Sequence, residues 1–324
     1  MSGVTYEVMK QRQALPLDCN VVFTEQRIRA WYSHWHGDVY VSFSGGKDST
    51  VLVDIAKRMF PDIPAVFCDT GLEYPEVREL ALRKADVVLK PTMNFKQVLE
   101  TYGYPVVGKK QARMIRDLQN KSGRNEATRR LRLTGIKKDG TFSKIGKLAD
   151  KWQFLGDAPF KVSEKCCDVM KKEPFHRYQD ETGRYGMNAT MAAESESRTL
   201  SYLKKGCNAF DSKNPLSTPM AIWLEDDVLR YIKENNVEYA SCYGEIIETE
   251  NGLLTTTREK RTGCMFCMFG VQFEKEPNRF QRMQHDYPKQ YEYCINKLGI
   301  GAVLDYVHIP YRYEPTLFDA KVVN

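Results

Sequence analysis

A long apolar run is missing: nothing in the 324 residues approaches the roughly 18 consecutive apolar positions a membrane-spanning helix needs. Met1 to Leu17 mixes Glu7, Lys10 and Arg12 among its apolar positions and holds no signal-peptide core. A cytoplasmic protein with no membrane partner is therefore expected. Structural disulfides are rare in that compartment, and nine cysteines, an odd number, do not read as a disulfide framework. The chain also lacks internal repeats and low-complexity tracts, which excludes a solenoid. It lacks the Gly-x4-Gly-Lys-Ser/Thr spacing of the Walker phosphate loop as well.

What is present suits a folded α/β protein. Hydrophobic residues make up 42% and aromatics 11%, enough for a sizeable core. The length favours a main domain with a smaller one appended. Charge is unevenly placed. Lys109 to Lys151 holds fourteen Lys/Arg against Asp117, Glu126, Asp139 and Asp150, a net +10, which leaves −4 for the rest of a chain whose total is +6. Such asymmetry points to a polyanionic partner; a solvated, flexible insertion is the plainer alternative.

Val-rich and aromatic Asp38–Phe43 reads as a strand, as do Pro64–Cys68 and Val87–Leu89. Apolar positions at helical spacing predict helices at Glu25–His36, Ser49–Phe60, Pro75–Lys84 and Trp223–Lys233. Strands alternating with helices imply a parallel sheet covered on both faces, with ligands at the strands' carboxyl ends. The basic run is expected to be a mobile insertion, helical around Ala112–Leu118. A largely helical tail follows Cys267.

Ser44-Gly45-Gly46-Lys47-Asp48-Ser49 follows the first strand and opens a helix. The two glycines admit backbone angles closed to other residues and let amides approach an oxyanion. The helix N-terminus aims free N–H groups and its positive end at the same place. Lys47 adds a charge, and Ser44 and Ser49 add hydroxyl donors. This loop is expected to hold phosphates. Asp48 beside phosphates fits a Mg²⁺ ligand or a helix N-cap. Asp69 ends the second strand and reads as a site carboxylate or a turn carboxylate. Glu194 and Arg198 sit four apart on one predicted helix face, as a surface ion pair or part of a site.

Cys166-Cys167 and Cys264-Met265-Phe266-Cys267 offer four soft thiolates, suited to zinc or an iron–sulfur cluster. Cys207 or Cys242 could replace one of them, while Cys19 and Cys294 read as core residues.

The loop resembles the PP-loop of the ATP pyrophosphatase superfamily, which splits ATP between its α- and β-phosphates. Cys68-Asp69-Thr70-Gly71-Leu72-Glu73, Ala193-Glu194-Ser195-Glu196-Ser197-Arg198, Asn214-Pro215-Leu216 through Trp223, and Asp226-Asp227-Val228-Leu229-Arg230-Tyr231-Ile232 are similar, in order, to segments of its phosphoadenosine phosphosulfate (PAPS) reductase-like branch. The resemblance implies an adenine nucleotide α-hydrolase-like fold: a parallel twisted sheet flanked by helices, here with a basic insertion and a helical C-terminal region carrying a metal site. It implies nucleotide contacts from Ser44–Ser49, Asp69, Glu194 and Arg198, with Lys47, Asp48 and Arg198 catalytic. The tandem and distant cysteines resemble the 4Fe–4S pattern of assimilatory adenylylsulfate reductases, with Cys166, Cys167, Cys264 and Cys267 as ligands and zinc as the alternative.

The sequence departs from the reductases in one respect. Their catalytic cysteine lies in a C-terminal Glu-Cys-Gly-Leu-His-type motif, whereas Tyr311–Asn324 has none and the last cysteine is Cys294. With the lysine-bearing loop intact, the expectation is adenylylation of a substrate by ATP with Mg²⁺, for iron–sulfur-assisted sulfur transfer, with a sulfur-donor protein and an oligomer as further partners. The alternatives are a sulfonucleotide reductase using Cys207 or Cys242, and a non-catalytic nucleotide-gated nucleic-acid-binding module with structural zinc. The expected organisation is an N-terminal helical segment 1–36, core 37–107, basic insertion 108–160, core 161–240 and C-terminal region 241–324.

Overall fold

The structure, a computed structural model, describes residues 3–313. The ends of the expected N-terminal and C-terminal regions, residues 1–2 and 314–324, lie outside the described residues, as does most of the segment on which the missing reductase motif was read. The chain forms two compact units, one of residues up to Pro91 with Glu173–Gly263, the other of Thr92–Lys172 with the residues from Cys264 on. Among the described residues no helix is long and apolar enough to cross a membrane.

The first unit is built on a six-stranded sheet. Its spatial order is Val87–Leu89, Ala65–Cys68, Val39–Phe43, Tyr185–Met187, Leu216–Ser217, Asn208–Ala209. Neighbouring strands are parallel except the last pair. Val41 sits at the centre, opposite Ala65 on one side and Met187 on the other. Both faces are covered, so Ala65–Cys68 is buried at every position and reads as a continuous apolar run rather than an alternating one. The helix Lys47–Met59 buries Val51, Leu52, Ile55 and Ala56 at 0–1% exposure. Each large side chain among them contributes about 1.5–3 kcal/mol.

Helix Leu17–His34 starts eight residues before the expected Glu25. Its buried stripe is Asn20, Thr24, Ile28 and Trp31, and the two polar members hid the first half of the pattern. Thr24 is used: the Trp223 indole N–H donates to its Oγ1 at 2.8 Å, both residues being fully buried.

The chain steps outward from Val39–Phe43 through two strands on one side, then returns beside it on the other at Tyr185–Met187. Strand order reverses there. The loops leaving these two strands, after Phe43 and after Met187, therefore open together at the sheet's carboxyl edge, where such sheets bind ligands.

The second unit holds helices Phe95–Tyr102, Lys109–Gln119 and Glu126–Thr134, the short parallel pair Val106–Val107 with Met268–Phe269, and tail helices Arg279–Asp286, Pro288–Glu292 and Ile300–Tyr306. The basic run has more structure of its own than the sequence suggested. Ala112, Met114, Ile115 and Leu118 are buried, and the Gln119 amide donates to the carbonyls of Leu155 and Phe160 while accepting from the Val162 N–H. The density of lysine and arginine concealed that apolar face. Lys109, Lys110, Arg113, Arg124, Lys137 and Lys138 remain exposed.

Candidate functional site

The phosphate-type loop leaves the central strand and is closed by its own side chains. Ser44 N–H donates to Ser49 Oγ at 3.1 Å, Gly46 N–H to Ser44 Oγ at 3.3 Å, and Ser49 Oγ to the Gly46 carbonyl at 2.9 Å. Gly45 has φ +73°, and a Cβ there would lie 2.5 Å from the Val77 carbonyl oxygen. This glycine lets the loop pack on helix Pro75–Lys84, in addition to opening the turn. The helix begins at Lys47 behind Gly46, with no side-chain cap. Asp48 therefore stands in the first helical turn and is not the N-cap.

Lys47 is 4% exposed, and its ammonium donates to the Lys260 carbonyl at 2.9 Å. Two carboxylates face it, Asp48 Oδ1 at 3.7 Å and Glu225 Oε1 at 3.3 Å, and neither oxygen accepts a hydrogen bond. Burial pushes the Asp48 carboxyl above its ordinary range, against the opposing pull of Lys47. The Lys47 N–H donates to Tyr243 Oη at 3.3 Å, and that phenol pairs with Thr262 Oγ1 at 2.5 Å. Loop groups suited to an anion thus meet protein oxygens here: a carbonyl, a phenol and two carboxylates.

Across the strand reversal, Ala192–Glu194 forms a short turn, and the helix Glu196–Lys205 starts after it with Ser195 as N-cap. Glu194 precedes the helix, so it does not share a helix face with Arg198 as expected. The two still pair, Arg198 Nη1 with Glu194 Oε2, while that carboxylate oxygen also accepts the Met191 N–H at 3.0 Å. Arg261 Nη1 lies 3.8 Å from the other oxygen, Oε1. Burial lowers the Arg198 pKa, and the charge of Arg261 lowers it further.

Asp69 lies at the end of its strand but is held by Arg78 through two hydrogen bonds, Nε to Oδ1 at 2.7 Å and Nη2 to Oδ2 at 2.8 Å, and accepts the Gly71 N–H. Those bonds hold its carboxyl below the usual range. Its partners shape the Asp69–Glu73 turn, where Thr70 Oγ1 also donates to Glu73.

The four expected ligand cysteines all lie in the second unit. Cys166 Sγ is 4.0 Å from Cys167 Sγ, and the Cys267 N–H closes a turn onto the Cys264 carbonyl at 3.1 Å. The Cys167 hydrogen bond, then burial and the charges of Cys167, Cys267 and Cys264, raise the Cys166 pKa. Cys167 is shifted the other way, lowered by the Cys166 hydrogen bond and then by the Lys109 and Lys171 ammoniums. The donor set is all sulfur and suits a soft metal. Yet among the described residues no three His, Cys, Asp or Glu side chains converge closely enough to hold a metal ion, so the four share a neighbourhood without forming a closed cage. Cys207 and Cys242 lie in the first unit, buried, with thiols pushed up to about 11 and about 12 by burial. Burial disfavours the thiolate form of both.

Sequence reasoning missed Glu225, Tyr243 and the segment Lys260–Thr262. A signal was present: Arg258-Glu259-Lys260-Arg261-Thr262-Gly263 is a basic run ending directly before Cys264.

Residues 38–103 match the model of the phosphoadenosine phosphosulfate reductase domain. An uncharacterised protein of Methanocaldococcus jannaschii is 24% identical over 267 residues, covering 80% of this chain and 47% of that protein. The chain thus spans about half the length of the curated relative it matches. Among solved structures, phosphoadenylyl-sulfate reductase from Candida auris, in a phosphate complex, is similar with TM-score 0.38 and 15% identity over 74% of this chain and 90% of that one. The U34-tRNA thiolase of Methanococcus maripaludis with its 4Fe–4S cluster is similar with TM-score 0.36 and 12% identity over 93% of this chain and 84% of that one.

Proposed function

We propose that this phosphoadenosine phosphosulfate reductase-like chain is an ATP pyrophosphatase-type enzyme that activates its substrate by adenylylation. The observation that carries the reading is the position of Ser44–Ser49, with buried Lys47, at the strand reversal, where the helix Glu196–Lys205 after the opposite loop carries Arg198. The family-model match over residues 38–103 supports it independently.

In this reading a substrate oxygen attacks the α-phosphorus, the bond from that phosphorus to the α–β bridging oxygen breaks, and pyrophosphate leaves. Lys47 and Arg198 stabilise the charge that builds on the phosphate oxygens. For a triphosphate to reach the loop, the Lys47 ammonium must exchange the Lys260 carbonyl for a phosphate oxygen. Asp48, with a buried oxygen lacking a hydrogen-bond partner, would hold Mg²⁺, which supplies charge neutralisation on the phosphates when bound.

Sulfur transfer is the proposed use of the activated oxygen, since an adenylylated oxygen is a good leaving group for a sulfur nucleophile. The cysteine neighbourhood supports this, with Cys166, Cys167, Cys264 and Cys267 the residues that would hold an iron–sulfur group. The exposed lysines and arginines of Lys109–Lys151 support a nucleic-acid acceptor, tRNA or DNA. The test is product analysis after incubation with ATP, Mg²⁺ and tRNA or DNA. Pyrophosphate matched by AMP together with adenylylated acceptor supports the reading. Sulfite from adenylyl sulfate or its 3′-phosphate, with no ATP consumed, would replace it with a reductase.

A further inference from the structure

Arg261 has no part in the reading above, but its position is fixed from both sides. The residue before it, Lys260, accepts the Lys47 ammonium on its carbonyl at 2.9 Å. The residue after it, Thr262, pairs through Oγ1 with Tyr243, whose phenol in turn accepts the Lys47 N–H. A three-residue segment is therefore pinned at both ends to the phosphate-type loop, and its middle side chain is a guanidinium. We propose that Arg261 is a phosphate-binding residue of the nucleotide site, forming with Arg198 a two-guanidinium clamp on the β- and γ-phosphates that leave as pyrophosphate. This rests on the nucleotide reading of the same loop.

The electrostatics favour an anion between the two. Glu194 holds both arginines, Arg198 on one carboxylate oxygen and Arg261 3.8 Å from the other. Two like charges sharing one carboxylate repel, and Arg198 is already less basic for its partial desolvation and the nearby charge of Arg261. An oxyanion bridging them would relieve that cost, and a planar guanidinium fork suits a phosphate oxygen pair. Glu194 then acts as a positioning residue, aiming both forks without contacting the phosphates.

Exposure decides which phosphates they meet. Lys47 is 4% exposed, Arg198 42% and Arg261 60%, so the three cations step from the floor of the site to its rim. AMP carries no β- or γ-phosphate for the outer cations to hold. A triphosphate, with about four negative charges at neutral pH, needs cations further out. The ion pair of Arg261 with Glu194 is too exposed to add much stability by itself.

The experiment is equilibrium binding of ATP, AMP and inorganic pyrophosphate to the full chain and to the Lys47→Ala, Arg261→Gln and Arg261→Lys variants, with a thermal melt of each. Arg261→Gln is expected to weaken ATP and pyrophosphate by about 10- to 100-fold, the span of a hydrogen bond to a charged group. AMP should change by less than about threefold, and the melting midpoint by less than about 2 °C. Arg261→Lys should recover part of the loss, since it restores the charge without the fork. ATP binding unchanged in Arg261→Gln, with Lys47→Ala abolishing it, would overturn the clamp and leave the nucleotide reading standing. An equal loss for AMP and ATP would overturn the assignment to the outer phosphates. A wild-type chain that binds no ATP would overturn the nucleotide reading and the clamp with it.

Discussion

The Lys47 ammonium donates a 2.9 Å hydrogen bond to the main-chain carbonyl of Lys260. These residues are 213 positions apart in sequence, and the contact ties the loop after the first strand to the segment just before Cys264. In an ATP-splitting enzyme Lys47 would exchange this neutral acceptor for a phosphate oxygen. The Lys47→Ala variant should therefore lose nucleotide turnover by about 100-fold or more, the effect of removing one preorganised donor. It should also melt lower, because Asp48 and Glu225 lose the cation they share. Arg at this position should keep stability better than it keeps turnover; steady-state rates beside thermal melts separate the two.

The Asp69–Arg78 pair makes a pH prediction. Asp69 is held below its ordinary range by the Arg78 hydrogen bonds, so the native state favours the ionised form. The stability this contributes is full above the unfolded value near ~3.9 and is lost as pH falls through the lower folded value. Asp69→Asn should lower stability at neutral pH by on the order of 1 kcal/mol, discounted because Arg78 is 45% exposed. The difference from wild type should shrink below about pH 4. Denaturant unfolding across pH checks it, and a difference constant with pH would contradict it.

Thr24→Val tests the packing under the site. The substitution keeps the shape but removes the oxygen that accepts the buried Trp223 N–H. An unpaired buried donor costs about 1–3 kcal/mol. Urea midpoints should fall accordingly, with nucleotide affinity unchanged.

Cysteine replacement should separate two sulfur populations. With an iron–sulfur group held as proposed, Cys264→Ser or Cys167→Ser should lose iron and absorbance near 400 nm after anaerobic purification. Cys294→Ala should leave the iron in place, since Cys294 is fully buried and its thiol is raised by burial. Zinc in place of iron in the wild type would turn the metal assignment to the alternative.

Three of the six strands, Val39–Phe43, Ala65–Cys68 and Val87–Leu89, were legible because they are short and apolar; Tyr185–Met187, Asn208–Ala209 and Leu216–Ser217 are too short or too polar to read alone. The loop Ser44–Ser49 was legible because a local motif carries it. Glu225, Tyr243 and Lys260 were not, because each reaches the loop from a distant segment and owes its place to the fold. The pairing of Glu194 with Arg198 was seen, but as a helix-face pair, since residue spacing cannot reveal that Ser195 caps the helix between them. The buried face of Lys109–Gln119 was masked by its own charge.

The central claim, ATP split between its α- and β-phosphates at this loop, is tested most directly by resolving the products of radiolabelled ATP with wild type and Lys47→Ala. AMP or an adenylylated acceptor together with pyrophosphate, absent in Lys47→Ala, is the predicted result. ADP and inorganic phosphate, or no difference between the two proteins, would contradict it.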